Sequence, residues 1–428
     1  LGCPKNRVDT ERPLGAPGAK ARPVKRMATA DLVLINTCGV IDPAVRESVS
    51  VILECAEEIA ALEPEKRPLL AVAGCLVGRY GADSLAPDLA EVDLWLPTGD
   101  MPEWPVMTRA ALDSRLDLRQ GAKMEASAKA PAVKDEPGAT GNSGAEGSRK
   151  VVVGGKSGKG GRSRAVAAGY LPQGRALSTG PSYAWLKISE GCGQSCSFCT
   201  IPQIRGRVRS LSADFLEAEA RHLLGQGVPE LVLVAQDLTS WGRDLREAGW
   251  LVRLLERLLP LPGLERLRLM YLCPAGMTDE LLSVLQQAGT PLLPYFDIPL
   301  QHADPDILTR MGRPFSQSPM KVVERIRKYL PEAALRTSLI TGFPGESEAA
   351  FAALYKFVEQ ARFQNLGVFA YEAEDGTPAA AMPGQLPVEL RQERRDRIME
   401  LQSGISEDLL QAYIGQRLDI LVDEPSPE

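Results

Sequence analysis

Glu190-Gly-Cys-Gly-Gln-Ser-Cys-Ser-Phe-Cys-Thr200 sets Cys192, Cys196 and Cys199 in one short loop with C-x3-C-x2-C spacing. Three thiolates so close together can hold three irons of a 4Fe–4S cube and leave the fourth iron without a protein ligand. An open iron can take the amine and carboxylate of a small molecule and pass an electron into it. Structural zinc is the competing reading, but zinc wants four ligands, usually as two C-x2-C-like pairs. No fourth Cys or His lies nearby in the chain; the next are His222 and Cys273. Phe198, beside the third cysteine, suits a screen against water and equally a core position.

Outward from this loop, strand and helix patterns alternate. Strand candidates are Ala184–Ser189, Glu230–Ala235, Arg266–Tyr271, Tyr295–Pro299, Arg336–Thr341 and Gly367–Tyr371. Helical spacing separates them over Ala213–Gln226, Ala248–Leu259, Thr278–Ala288, Pro319–Tyr329 and Ser347–Ala361, and a charge-laced helix spans Pro387–Gln411. Six βα units in series predict a partial (β/α)6 TIM-like barrel over residues 183–415. The cysteine loop then follows the first strand, on the face where such barrels carry their chemistry. Gln236 and Asp237 end the second strand, and the Gly342-Phe-Pro-Gly-Glu346 turn, with Gly342 and Gly345, ends the fifth. On that rim they are candidate contacts for a nucleoside and an ammonium group; taken singly they are ordinary turn residues. Arg205 and Arg207 offer a carboxylate a bidentate partner or simply cover a solvated surface, and His302 reads as a hydrogen-bonded rim residue.

Residues 1–108 read as an open parallel-sheet α/β domain, with strands at Asp31–Asn36 and Leu69–Ala73 and a helix over Val45–Leu62. Cys38 and Cys75 directly follow strands, and Cys3 lies about one βα unit upstream. Ligands gather at the carboxyl ends of strands in such sheets, so the three cysteines can converge on one metal cluster, or each can be a small buried hydrophobe. Cys55 and Cys273 read as structural. Pro13 and Pro17 are expected to interrupt the first crossover helix. Residues 109–182 turn rich in Gly, Ser, Ala, Lys and Arg and read as a linker, with only Val151–Val153 looking ordered. Its basic residues, Arg149 and Lys150 among them, suit solvated linker better than an RNA contact. Residues 416–428 look like the first strand of a truncated C-terminal β domain, and the lack of an initiator Met at Leu1 suggests a fragment at the front as well.

Composition narrows the function classes. A net charge of −6 gives no global case for nucleic-acid binding. No run is long enough to span a bilayer, so no membrane partner is expected. Eight cysteines in 428 residues, without an export signal, indicate a reducing cytoplasm and not a disulfide scaffold. Two histidines exclude an imidazole-rich metal site, and no Ser/His/Asp set, Walker loop or paired-carboxylate signature is present. No general acid or base can be assigned.

The cysteine loop at the start of a partial barrel resembles the radical S-adenosylmethionine (SAM) enzymes. Three further cysteines in an N-terminal α/β domain make the chain similar to the methylthiotransferase branch of that family. Leu1-Gly-Cys-Pro-Lys-Asn6, Asn36-Thr-Cys-Gly39, Lys187-Ile-Ser-Glu-Gly191 and Pro299-Leu-Gln-His-Ala303 resemble the members that modify ribosomal protein uS12. The resemblance implies two 4Fe–4S clusters, one on Cys192, Cys196 and Cys199 that binds SAM, and an auxiliary one on Cys3, Cys38 and Cys75 that carries the donated sulfur. It implies methylthiolation of an aspartate β-carbon, a position with no acidic hydrogen, through a SAM-derived radical. It implies an electron donor such as flavodoxin or ferredoxin, and a C-terminal TRAM-like domain of which this chain keeps only the start. The same chemistry on a tRNA adenosine is the nearest alternative; an electron carrier and a zinc-stabilised RNA-binding module are the others.

Overall fold

The computed structural model describes residues 1–15, 21–128, 152–153, 172, 174–245, 250–313 and 318–423. In the N-terminal unit, α1 (Pro4–Gly15) precedes β1 (Leu32–Thr37), α2 (Asp42–Ala60), β2 (Leu69–Gly74), α3 (Cys75–Tyr80), α4 (Ala82–Leu85), β3 (Leu94–Pro97) and α5 (Trp104–Ala128). The strands pair in parallel in the order β1-β2-β3-β4, where β4 is Val152–Val153. Every residue of β2 is buried, because helices cover both faces of a parallel sheet. Ile52 and Trp95 belong to the core on one face, Leu94, Leu96 and Trp104 to that on the other.

Two features of this unit differ from the sequence expectation. Helix α1 runs through Pro13 instead of breaking before it. Pro13 forgoes the hydrogen bond to the Asp9 carbonyl and its ring crowds the preceding turn, a cost offset by the buried pairs that hold the helix there, Glu11 with Arg175 and Arg12 with Glu219; Pro17 lies outside the described residues. Regular structure also enters the stretch expected as linker, since α5 continues past residue 109 to Ala128, and Arg175 at its far end is buried against Glu11. Of Val151–Val153, the last two form β4 and Val151 lies outside the described residues, as do Arg149 and Lys150.

The second unit opens with β5 (Tyr183–Lys187), β6 (Ser189–Glu190), α6 (Ile201–Arg205) and β7 (Arg209–Ser210). It continues as α7 (Ala213–Gly225), β8 (Glu230–Val234), α8 (Trp250–Leu258), β9 (Arg266–Leu269), α9 (Asp279–Ala288), β10 (Leu292–Asp297), α10 (Pro305–Arg310) and α11 (Pro319–Tyr329). β11 (Ala334–Thr341), α12 (Glu348–Ala361), β12 (Asn365–Ala370) and α13 (Val388–Gln411) complete it. The sheet order β5-β8-β9-β10-β11-β12 is parallel throughout and follows the chain, which is the expected six-stranded partial barrel. Helix starts carry the caps that the sequence offers: Ser212, Thr278 and Ser347 each accept a backbone N–H through their hydroxyl.

Strand alternation sorts side chains between two faces. Leu231 and Leu233, Leu267 and Leu269, and Phe296 pack outward under the helices. Val232, Val234, Met270, Tyr183, Trp185, Tyr271 and Tyr295 cluster on the other face, in the lumen. The stretch Arg417–Asp423, expected as the first strand of a β domain, forms no strand. Among the described residues it finds no neighbouring strand to complete a ladder, and Leu418, Ile420 and Val422 are left exposed. Among the described residues, too, no helix is long and apolar enough to cross a membrane.

Phe296 is fully buried between sheet and helices. Phe296→Ala is expected to destabilise the barrel by about 3–5 kcal/mol, read as a lowered midpoint in chemical denaturation followed by far-UV circular dichroism.

Candidate active site

The cysteine loop is tied at both ends. Ser189 and Glu190 pair antiparallel with Ser210 and Arg209, and the Cys192 N–H bonds the Gly206 carbonyl at 3.1 Å. Its centre is fastened to the end of α10. Ser197 donates its N–H to Met311 O at 3.0 Å and its hydroxyl to Arg310 O at 2.8 Å. Gly312 allows this approach, because a Cβ there would lie 2.6 Å from Ser195 O. Arg313 donates one N–H to Cys196 Sγ at 3.4 Å and another to Pro299 O at 2.8 Å. Burial pushes the Cys192 thiol up and the Cys199 thiol up to about 12. Left alone, these two side chains would stay neutral; a cationic metal group is what would turn them into thiolates.

The second trio stands at the carboxyl edge of the N-terminal sheet. Cys38 follows β1, Cys75 opens α3, and Cys3 sits just before α1. Asn6 is their hub. Cys3 and Cys75 donate to its Oδ1 at 3.6 and 3.8 Å, and its Nδ2 donates to Asn36 Oδ1 at 3.1 Å and Thr37 O at 2.8 Å. Gly74 has φ +98°, and a Cβ there would lie 2.7 Å from Thr37 N, so only glycine lets β2 turn Cys75 inward. Burial is the main influence raising the Cys38 and Cys75 thiols, and each also feels Cys3. Among the described residues no three Cys, His, Asp or Glu side chains are gathered as one metal ion requires. The fit to a polynuclear group rests on donor chemistry: two sets of three thiols, each with a buried guanidinium at one sulfur.

Arg205 joins the two units. It donates to Cys75 Sγ from Nε at 3.3 Å and Nη2 at 3.2 Å, and from Nη1 to Asp9 and Glu190 at 2.9 Å each. Lys187 also bonds Asp9 and Glu190. Beside them, Arg12 spans Glu219 (2.7 Å) and the Lys187 carbonyl (3.1 Å), and Arg175 pairs with Glu11. Burial works against the Glu190 carboxylate, but Arg205 and Lys187 outweigh it and hold the group far below the usual carboxylate range. A cavity of ≈410 Å³ is lined by Cys3, Asn6 and Asn36 of the N-terminal unit and by Trp185 of the second.

The residues singled out on the rim are distributed unevenly. Gln236 donates to Glu190 Oε1 at 3.4 Å, and its own Oε1 is buried without a partner. Asp237 is saturated within the chain. It accepts from Thr239 N (3.0 Å), Ser240 Oγ (2.5 Å) and Gln194 Nε2 (2.9 Å), and so braces the cysteine loop. Gly342 packs against Arg391 and Gly345 against Arg310. His302 is fully buried, accepts the Asp304 N–H at Nδ1 and meets Glu346 at 3.1 Å through Nε2. Phe198 packs on the Ile307, Leu308 and Met311 cluster, a core role. Arg207 is exposed, unlike Arg205. Cys55 lies on α2, partly buried; Cys273 is nearer the chemistry than its sequence suggests, with Gln194 Nε2 at 3.5 Å. Sequence patterns alone do not reveal the roles of Asn6, Lys187 and Arg313, although a lysine ending an apolar strand is a visible signal.

Residues 186–358 match the family model described as the radical SAM superfamily, and residues 1–97 match one described as uncharacterized protein family UPF0004. The chain is 54% identical over 428 residues to the ribosomal protein uS12 methylthiotransferase RimO of Nitratidesulfovibrio vulgaris, covering 100% of this chain and 87% of that protein. It is 52% identical to the protein of that name from Oleidesulfovibrio alaskensis (100% and 87% covered) and 46% to that from Lawsonia intracellularis (100% and 85%). Among solved structures, the radical SAM methyltransferase TsrM from Kitasatospora setae, with tryptophan and a SAM analogue bound, aligns with a TM-score of 0.54 at 15% identity. That alignment covers 82% of this chain and 62% of TsrM, and it bears on fold alone.

Removing one partner of a buried ion pair strands the other charge, so Arg205→Gln is expected to weaken docking of the two units by about 3–5 kcal/mol. Faster hydrogen exchange in α1 and β6 would report it; unchanged exchange would contradict it. Acid should act similarly. Glu190 and Glu219 are held below their ordinary value of 4.5, so their stabilisation is complete above that pH and is lost as pH falls below it. Protection of the α1 amides, corrected for the intrinsic pH dependence of exchange, should therefore fall below pH 4.5 and stay level near neutrality.

Proposed function

The chain belongs to the RimO family of ribosomal protein uS12 methylthiotransferases, and from that membership we propose that it adds a methylthio group to the β-carbon of an aspartate in uS12. It is a radical SAM enzyme whose cofactors are SAM and 4Fe–4S clusters. We assign the SAM-binding cluster to Cys192, Cys196 and Cys199 in the barrel unit, and the auxiliary cluster to Cys3, Cys38 and Cys75 in residues 1–108. When bound, these groups supply the electrons, the sulfur and the radical that removes hydrogen from an unactivated carbon.

The observation that carries the assignment is the Arg205 contact. Arg205 ends α6, the short helix that follows the cysteine loop, and such a residue would ordinarily serve its own unit. It reaches Cys75 of the other unit instead, which ties the unit that carries the cysteine loop to a member of the N-terminal trio. The rest of the chain's contribution is positional. Asn6 orients Cys3 and Cys75, Arg313 and Gln194 orient the cysteine loop, and Tyr183, Trp185 and Tyr295 add aromatic surface to the lumen. Gln236, with its unpartnered Oε1, is the best placed of the rim residues to meet SAM, with Asp237 acting through Gln194 and the Gly342 and Gly345 turn forming the opposite rim. The cytoplasm is the compartment such a substrate requires, and a flavodoxin- or ferredoxin-like protein is the electron donor in this reading.

Mass spectrometry of uS12 from cells with and without the gene tests the substrate: the methylthio mark should follow the gene, and a mark found on tRNA instead would overturn the reading. Replacing Cys3, Cys38 and Cys75 together by Ala should halve the iron of the anaerobically reconstituted chain, and replacing Cys192, Cys196 and Cys199 should halve it independently. Only the second set should abolish SAM-induced changes in the electron paramagnetic resonance spectrum.

A further inference from the structure

Lys5 is a charged side chain inside the interface, only 8% exposed. Its ammonium stands 3.5 Å from the centroid of the Tyr271 ring. Among the described residues no carboxylate forms an ion pair with it, while every neighbouring buried cation (Lys187, Arg205, Arg12, Arg175) has one. A ring face offsets only part of the cost of burying an ammonium. Tyr271 itself is held at φ +61°, a backbone conformation that a bulky residue rarely adopts, just past β9 on the barrel mouth.

Asp297 supplies the complement. It ends β10 and alternates with Phe296, so it shares the lumen face with Tyr295. It is 1% exposed; Oδ2 accepts from Arg336 at 3.2 Å, and Oδ1 is buried without a partner. Asp297 and Cys3 are both within electrostatic reach of Lys5. Lys5 and Asp297 thus feel each other without forming an ion pair, the ammonium resting on a ring face and one carboxylate oxygen lacking a donor.

We propose that Lys5 and Asp297 seat the target aspartyl residue of the protein substrate, Lys5 taking its side-chain carboxylate and Asp297 Oδ1 accepting an N–H of the same peptide segment. The inference rests on the proposed function and adds the groups that recognise the residue to be modified. A peptide aspartate carries both complements next to the reacting β-carbon. An adenine carries an N–H for Asp297 but no anion beside its ring for Lys5, which favours the peptide over RNA. Lys5 is here a specificity residue, beside the trio and not a ligand of it.

The test is a binding cycle with the cluster-loaded chain under anaerobic conditions. Purified uS12, and uS12 with its target aspartate changed to asparagine, are titrated against the unsubstituted chain, Lys5→Met and Lys5→Arg, with iron content read for each. The asparagine change is expected to weaken binding to the unsubstituted chain by about tenfold or more, and to Lys5→Met by less than about twofold. Lys5→Arg should restore most of the discrimination; if Lys5→Met loses iron, Lys5→Gln takes its place in the cycle. Equal losses in the unsubstituted chain and the Lys5 variant would overturn the inference, leaving Lys5 a counter-charge to the thiols and the substrate reading intact. Failure of the unsubstituted chain to bind either form of uS12, with binding of tRNA, would overturn both.

Discussion

Burying a charge is costly unless it is answered, and with Lys5 as the exception this cost governs how the two units meet. Lys187, Arg205, Arg12 and Arg175 face Asp9, Glu190, Glu11 and Glu219 in one interface, four cations against four anions, all nearly excluded from water. Such a set contributes little net stability, because desolvation offsets most of the attraction. Its value lies in direction. A hydrophobic interface would tolerate sliding by a fraction of a turn, whereas every ångström of displacement here strands a buried charge. Arg205 adds the sulfur of Cys75 to the same set, so the alignment of the units and the placement of the N-terminal trio are one constraint.

The barrel is legible in the sequence because short strand-like stretches alternate with stretches of helical spacing; Leu231–Val234 is a continuous apolar run, while Leu335–Ile340 carries Arg336, Thr337 and Ser338 among its apolar residues. The cysteines are legible because three in eight residues is a pattern of its own. β3 is not: Leu94–Pro97 is four residues long and contains a proline, so it carries too little periodicity to stand out. The helix through Pro13 escapes a sequence reading because what offsets the proline's cost is tertiary, the pairing of Glu11 and Arg12 with Arg175 and Glu219. Arg205 reads equally as a carboxylate partner or a solvated residue, and its true partners, Asp9 and Cys75, are far away in the chain. Pairings of this kind are set by docking, and no local pattern encodes them.

The rim separates saturated from unsaturated groups. Asp237 has the look of a ligand-binding carboxylate, yet its oxygens are occupied by Thr239, Ser240 and Gln194. His302 is likewise consumed by Asp304 and Glu346. Gln236 and Asp297 each keep a buried oxygen without a donor. Other buried polar atoms, such as Trp95 Nε1 and Gln402 Oε1, also lack partners, and it is their position at strand ends of the barrel that sets Gln236 and Asp297 apart. Saturation itself lies in the side-chain network, one level below the strand ends that sequence patterns reveal.

The contrast between the two cysteine sets bears on how the holoprotein is assembled. Cys192, Cys196 and Cys199 lie in one loop, so a nascent chain can gather them with little loss of conformational entropy. Cys3, Cys38 and Cys75 meet only after β1 and β2 have paired and Asn6 has locked onto Asn36 and Thr37. A cluster held by the second set would therefore depend on the pairing of β1 and β2, whereas one held by the first set would draw on a single loop.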